Sequence, residues 1–285
     1  MKWKPGQVSR DIEDRRGARP GLGGRRGLGL GGLLLLLVLS VVFRQDFFGL
    51  IGATGGLGEG PLPAAEEAGP FQTTPEEETL VRFVSFVLDS TQSFWEREFA
   101  DLGERYQRAT LVLFRDATRS TCGFAQSASG PFYCPGDNKV YIDLAFYREL
   151  DQRFGAPGDF AQAYVLAHEV GHHVQTLLGI EARVRRLQQS RPQESNQIQV
   201  RMELQADCLA GLWGNHAARE GWLVEGDVEE GIGAAGAVGD DRIQRNTQGY
   251  VNPDAFTHGS SDERVRWFMK GMRSGRVEDC DTFGG

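Results

Sequence analysis

Three of the five histidines in the 285-residue chain fall within six positions of one another, in the segment AQAYVLAHEVGHHVQTLLG at 161–179. His168 and His172 stand at i and i+4. On a helix that spacing places two imidazoles one above the other, about 5–6 Å apart at Cβ, so both can reach one ion. Zinc takes such nitrogen ligands at roughly 2.0–2.1 Å. Glu169 follows the first histidine, where a carboxylate can take a proton from a water polarised by the metal; this is the HExxH arrangement of zinc hydrolases. A chain with this composition contains such a pattern by chance roughly one time in a hundred. His173 is turned about 100° from His172 and reads as a capping or orienting histidine, not a ligand.

A catalytic zinc needs a third protein ligand and an open position. ELQADCLAGLWGNHA, at 203–217, offers Glu203 and Asp207 at i and i+4 amid apolar neighbours. A carboxylate on a second helix packed across the first completes a His, His, Glu set. Glu203 is then the expected ligand, and Asp207 the group that fixes a zinc histidine through its other ring nitrogen. Glu194, Glu181 and His216 are weaker rivals for the third position. In FTHGSSDERVRWF, at 256–268, His258 precedes the helix-start residues Ser260, Ser261 and Glu263 and so projects from a loop. A loop histidine near zinc can donate to an oxyanion, with Arg264 orienting a carboxylate partner.

The elements that must position these groups follow from periodicity. Ala163, Leu166, Ala167, Val170, Val174, Leu177 and Leu178 form one apolar stripe of a helix over 161–179 that Gly179 ends. A second helix is predicted over about 196–218 and a short one over 143–153. Thr74, Pro75 and Glu77 open an earlier helix carrying Leu80, Val84, Val87, Leu88 and Trp95 at helical spacing. PFYCPGDNKVYID, at 131–143, alternates as a hairpin turning at 136–138. Its edge could align an extended substrate by backbone pairing, or it could be purely structural. The glycine-rich stretch at 231–244 fits either a closely packed helix or a lid. Of four cysteines, Cys122 and Cys134 bracket one hairpin arm and its loop and are expected to pair, which leaves Cys208 with Cys280 by elimination. No CxxC occurs, so a thiolate zinc ribbon is excluded. The fold predicted is α+β: a mainly helical, zincin-like domain over 71–285 with a small antiparallel sheet.

Ahead of it the composition changes. Residues 1–26 hold eight Lys/Arg against three Asp/Glu, a local charge of +5 in a chain of net charge −8. The acidic remainder is a poor partner for nucleic acid phosphates, and the 38 glycines lack the one-in-three repeat of collagen. Residues 27–43, GLGLGGLLLLLVLSVVF, carry no charge and read as one transmembrane anchor, three to one over a cleaved signal peptide. The positive-inside rule then puts the basic head, 1–26, in the cytoplasm and the domain outside, after a Gly/Pro-rich linker over 44–70.

These segments together resemble a bacterial family of neutral zinc metallopeptidases, on MKWKPGQVSRDIEDRRG, the single apolar span, TCGFAQSASGPFYCPGDNKVYID, AHEVGHHVQ, ELQADCLAGLW and FTHGSSDERVRWF. The likeness covers nearly the whole chain and is least diagnostic in the linker and over 180–195. The resemblance is to the HExxH, gluzincin type, and the order HExxH, ExxxD and a His followed six residues later by Arg is also similar to the membrane-bound CAAX-type zinc endopeptidases. The resemblance implies one catalytic Zn2+ on His168, His172 and Glu203, Glu169 as base, Asp207 behind the ligands, and His258 near Arg264 stabilising the oxyanion. It implies peptide or protein substrates and a single-pass protein of the bacterial inner membrane. Gly259 departs from the proline usual in the CAAX-type enzymes. The competing classes are a non-catalytic envelope module, with structural zinc or none, and a zinc hydrolase of a non-peptide bond.

Overall fold

A computed structural model describes residues 1–18, 72–127 and 130–284. Residues 1–18 and 73–285 form one compact unit. The expected anchor at 27–43, the linker at 44–70 and the end of the basic head lie outside the described residues. Among the described residues no helix is long and apolar enough to cross a membrane.

The chain order is β1 (Ile12–Asp14), α1 (Pro75–Asp101), β2 (Thr110–Phe114), β3 (Ala117–Ser120), β4 (Gly123–Gln126), β5 (Phe132–Cys134), β6 (Lys139–Asp143), α2 (Ala145–Gln152), α3 (Asp159–Leu177), α4 (Ile180–Ser190), α5 (Ser195–Arg219), α6 (Asp227–Ala237), α7 (Asp240–Gln248) and α8 (Ser261–Ser274). Helices dominate, as expected, and the sheet is where the prediction needs correction. The main sheet runs β1-β2-β6-β5 and is mixed: β1 with β2 and β2 with β6 are parallel, and only the hairpin β5-β6 is antiparallel. The alternation within 131–143 showed the hairpin but carried no information on what lies beside β6. Parallel strands need cover on both faces, and β2 and β6 have it: Leu111, Leu113, Val140 and Ile142 face the helical core, while Val112, Phe114 and Tyr141 join Phe132 and Cys134 on the other side.

A second correction concerns the head. Residues 1–18 are part of the domain: β1 pairs with β2 in the register Ile12↔Leu111 to Asp14↔Leu113, and Trp3 packs edge-on to Phe83 of α1, 5.3 Å between ring centroids. A three-residue strand among charges has too short a pattern for periodicity to mark.

The helix starts are as read. Thr74 Oγ1 accepts the Glu77 amide at 3.2 Å, and Ser260 with Glu263 forms a full capping box on α8. Such caps are worth about 1 kcal/mol each. The stripe of α3 is buried at Ala163, Leu166, Ala167, Val170 and Val174, whereas Leu178 lies past the helix end and is exposed. Gly179 follows at φ +70°, a left-handed turn suited to glycine. The stretch at 231–244 runs from α6 through a break at 238–239 into α7, and its start is closely packed: a Cβ on Gly231 of α6 would stand 2.9 Å from both Phe160 and Phe268. Disulfides join Cys122 to Cys134, tying the β3-β4 ribbon to β5, and Cys208 to Cys280, tying α5 to the C-terminal segment.

Candidate metal centre

Helices α3 and α5 meet at Gly171, the glycine inside the HExxH segment, where a Cβ would lie 3.2 Å from the Ala206 carbonyl and 3.4 Å from Leu209. That approach lets side chains from the two backbones converge. One ligand atom each from His168, His172 and Glu203 lies within 4.8 Å of the others. His168 Nε2 and His172 Nε2 are each 3.3 Å from Glu203 Oε2. Glu194, Glu181 and His216 take no part: Glu194 and Glu181 pair with Arg191 and Arg185, and His216 stacks on Phe94.

Each of these groups is held from behind. His168 Nδ1 donates to Asp207 Oδ1 at 2.9 Å, and His172 Nδ1 donates to Gln175 Oε1 at 2.8 Å. Gln175 is fixed in turn, donating to the Met202 carbonyl and to Gln205. Gln199 donates to Glu203 Oε1 at 2.9 Å, leaving Oε2 to face the imidazoles. With both Nδ1 atoms engaged and both Nε2 atoms converging on one carboxylate oxygen, the donor set suits a borderline cation such as Zn2+. Without a metal, burial opposes charging His168, yet bonds to Asp207 and Glu203 outweigh it and raise its pKa to about 9. Glu203 is held well below the usual carboxylate range, the two imidazoles prevailing over burial.

Asp207 is fully buried and is matched by Arg264 of α8, whose Nε and Nη2 each donate to it at 2.9 Å. Tyr164 also donates to Asp207, and Arg264 caps the Val238 carbonyl. Glycine again permits the approach: a Cβ on Gly211 of α5 would collide with the Phe268 carbonyl, and one on Gly271 of α8 with the Cys208 carbonyl. The charges are compensated by a bidentate pair, the geometry a buried ion pair requires.

His258 sits on the loop between α7 and α8 and lines the same cleft as His168, Glu169, His172, Glu203 and Arg264. Its loop is gathered around Asp240, the first residue of α7. Asp240 Oδ2 accepts the amides of Thr257, His258 and Gly259 at 2.6, 2.6 and 3.1 Å, while Oδ1 lies 3.2 Å from His258 Nδ1. The bond to Asp240 raises the His258 pKa against the effect of burial. Gly259 has φ +96°, a conformation closed to proline, which accounts for its departure from the CAAX-type pattern. His173 points elsewhere: its Nε2 donates to the Gln107 carbonyl at 2.6 Å and its Nδ1 lies 3.1 Å from the Tyr133 hydroxyl, so it fastens β5 to α3.

Gln175, Gln199, Tyr164 and Asp240 are the groups sequence reasoning missed. Gln175 stands at i+3 from His172 and Gln199 four residues before Glu203 on one helix, both local signals; Tyr164 and Asp240 require the tertiary fold.

The profile of the family described as "putative neutral zinc metallopeptidase" matches residues 1–283, and the chain belongs to that family. Among its relatives is YpfJ of Escherichia coli K12, an uncharacterized protein 47% identical across 100% of this chain and 99% of its own length. Another is the uncharacterized Rv2575 of Mycobacterium tuberculosis H37Rv, 41% identical over 71% of each chain. No solved structure matches.

Proposed function

We propose that the protein is a zinc-dependent peptidase that hydrolyses peptide bonds at the His168, His172, Glu203 cluster. The observation that carries the reading is the convergence of those three donors beside Glu169 in an open cleft. Zinc, when bound there, supplies Lewis acidity toward a carbonyl oxygen and a water. Glu169 takes a proton from the attacking water and returns it to the leaving amine. His258, held on its loop by Asp240, donates to the carbonyl oxygen as that oxygen gains charge. Asp207 and Gln175 hold the two imidazoles in the tautomer that presents Nε2, and Arg264 with Tyr164 keeps Asp207 ionised. Membrane association through 27–43 belongs to the same reading, and the two disulfides favour an oxidising compartment outside the cytoplasm.

The test is hydrolysis of quenched fluorescent peptides by the zinc-loaded full chain and its Glu169→Gln variant. Turnover is expected to fall by roughly 10²–10⁴-fold in the variant, the size of a general-base contribution, with zinc content unchanged. Undiminished turnover would remove Glu169 from the mechanism.

A further inference from the structure

The metal cluster stands at the junction of two cavities with different walls. His172, Glu203 and Tyr133 line both. On one side a cleft of about 480 Å3 is walled by Phe146, Phe154, Val165, Val238 and Ile243. On the other a recess of about 300 Å3 has a mixed wall, with Glu181, Arg185 and Gln199 beside Pro135, Val184 and Met202. Strand β5 is the outer strand of the main sheet beyond β6 and contributes Phe132 and Tyr133 to the cleft. We infer that the site takes extended peptides with a bulky apolar side chain on one side of the scissile bond, the side that faces the apolar cleft. The inference rests on the peptidase reading. An apolar wall of this kind discriminates through buried area, so peptides with Leu or Phe at one flanking position should be cleaved at least about tenfold faster than those with Asp or Lys. Ile243→Asp should erase that ratio. Binding of the same peptides to Glu169→Gln, followed by fluorescence anisotropy, should show the same order. Cleavage or binding with no side-chain preference would overturn the inference and leave the peptidase reading standing. Selective binding without any cleavage by the wild type would support the subsite and sink the reaction.

A separate observation concerns the N-terminal segment. The strand β1 completes the edge of β2, whose Leu111, Val112 and Leu113 are wholly buried. The segment is matched to the domain by charge as well: Arg16 reaches Glu77 and Glu78 at 3.0 and 3.3 Å, Glu13 accepts Lys139 at 2.6 Å, and Asp11 accepts Arg108 at 2.6 Å. Further back, the Lys2 amide donates to the Trp222 carbonyl at 2.6 Å, and Ser9 donates to Asp89. Paired strands lie roughly 4.8 Å apart, whereas the hydrocarbon core of a bilayer is about 30 Å thick. A segment cannot satisfy both separations at once. We therefore propose that residues 1–18 and the metal-site domain occupy the same side of the membrane.

This sets the pairing of β1 against the positive-inside expectation, and ion pairs of both signs support the pairing: Arg16 meets carboxylates of the domain, while Glu13 and Asp11 meet its Lys139 and Arg108. The experiment uses the full chain in bacterial cells, with Val8→Cys and Tyr250→Cys as separate variants, at positions 51% and 63% exposed. A membrane-impermeant maleimide applied to spheroplasts and to inside-out vesicles should label both from one and the same face. Labelling from opposite faces would overturn the proposal. Protease treatment of the unaltered protein in the same two preparations, read as released peptides by mass spectrometry, gives an answer free of any introduced thiol. Head and domain peptides released from opposite preparations would overturn it equally.

Discussion

Helix α3 carries two clusters of three potential metal ligands, and only one has the features of a metal centre. In the middle of the helix are His168 and His172, with Glu203 opposite; at its first residue is Asp159, with Asp227 and Glu230 of α6. The acidic trio already has a counter-cation and bonds to spend its oxygens on. The Met1 ammonium lies 2.7 Å from Asp159 and 3.3 Å from Asp227, Asp227 accepts the Val224 amide, and Glu230 accepts the Phe160 amide. In the histidine cluster every supporting bond is made from behind, and the free atoms face one another across a cleft. Proximity of ligands is thus a weak criterion, and what the remaining atoms are doing is a strong one.

The comparison breaks most visibly in metal content. Glu203→Ala should lower zinc from about one per chain to near none by elemental analysis, while Asp159→Asn combined with Asp227→Asn should leave it unchanged; loss of zinc in the latter would make the acidic trio the metal site. Asp207→Asn should weaken zinc affinity about 10- to 100-fold in a chelator competition, as loss of a group behind a metal histidine does. Asp227→Asn should act on stability alone, lowering it by about 1–3 kcal/mol in chemical denaturation because it leaves buried donors short of an acceptor. The smallest effect is a displaced titration. With Nδ1 turned to Asp240, His258 offers a proton on Nε2 only as the imidazolium, so activity falls as pH rises through its pKa, which the bond to Asp240 holds above the ordinary histidine value. Asp240→Asn should move that alkaline limb of kcat/KM to lower pH; a limb that stays in place would assign it to another group.

Much of the site was legible because its chemistry is local. His168, Glu169 and His172 share one helix, Glu203 and Asp207 share another, and helical spacing alone puts each set on a face. The pairings across helices were legible only as expectations, since they depend on Gly171, Gly211 and Gly271, which in sequence look like helix weaknesses and in the fold are contact points. Asp240 was invisible because its partners lie 17 to 19 residues away on a loop with no regular pattern. The strand β1 was not legible because three residues among charges show no pattern, and the contacts that seat it are distant in sequence. Lys139, Arg108, Glu77 and Glu78, the groups that neutralise it, are spread over more than sixty positions of sequence.

The bridge between Cys208 and Cys280 spans 72 positions and encloses α6, α7, the His258 loop and α8. The connection after α7, with Tyr250 63% exposed, is an open stretch of backbone in that ring. A single cut there would leave Cys208 on one fragment and Cys280 on the other, still covalently joined. The nicked protein would keep His258 and Arg264 tethered to the helix they serve, run at full mass on a gel, and separate into two bands only when a reductant is added.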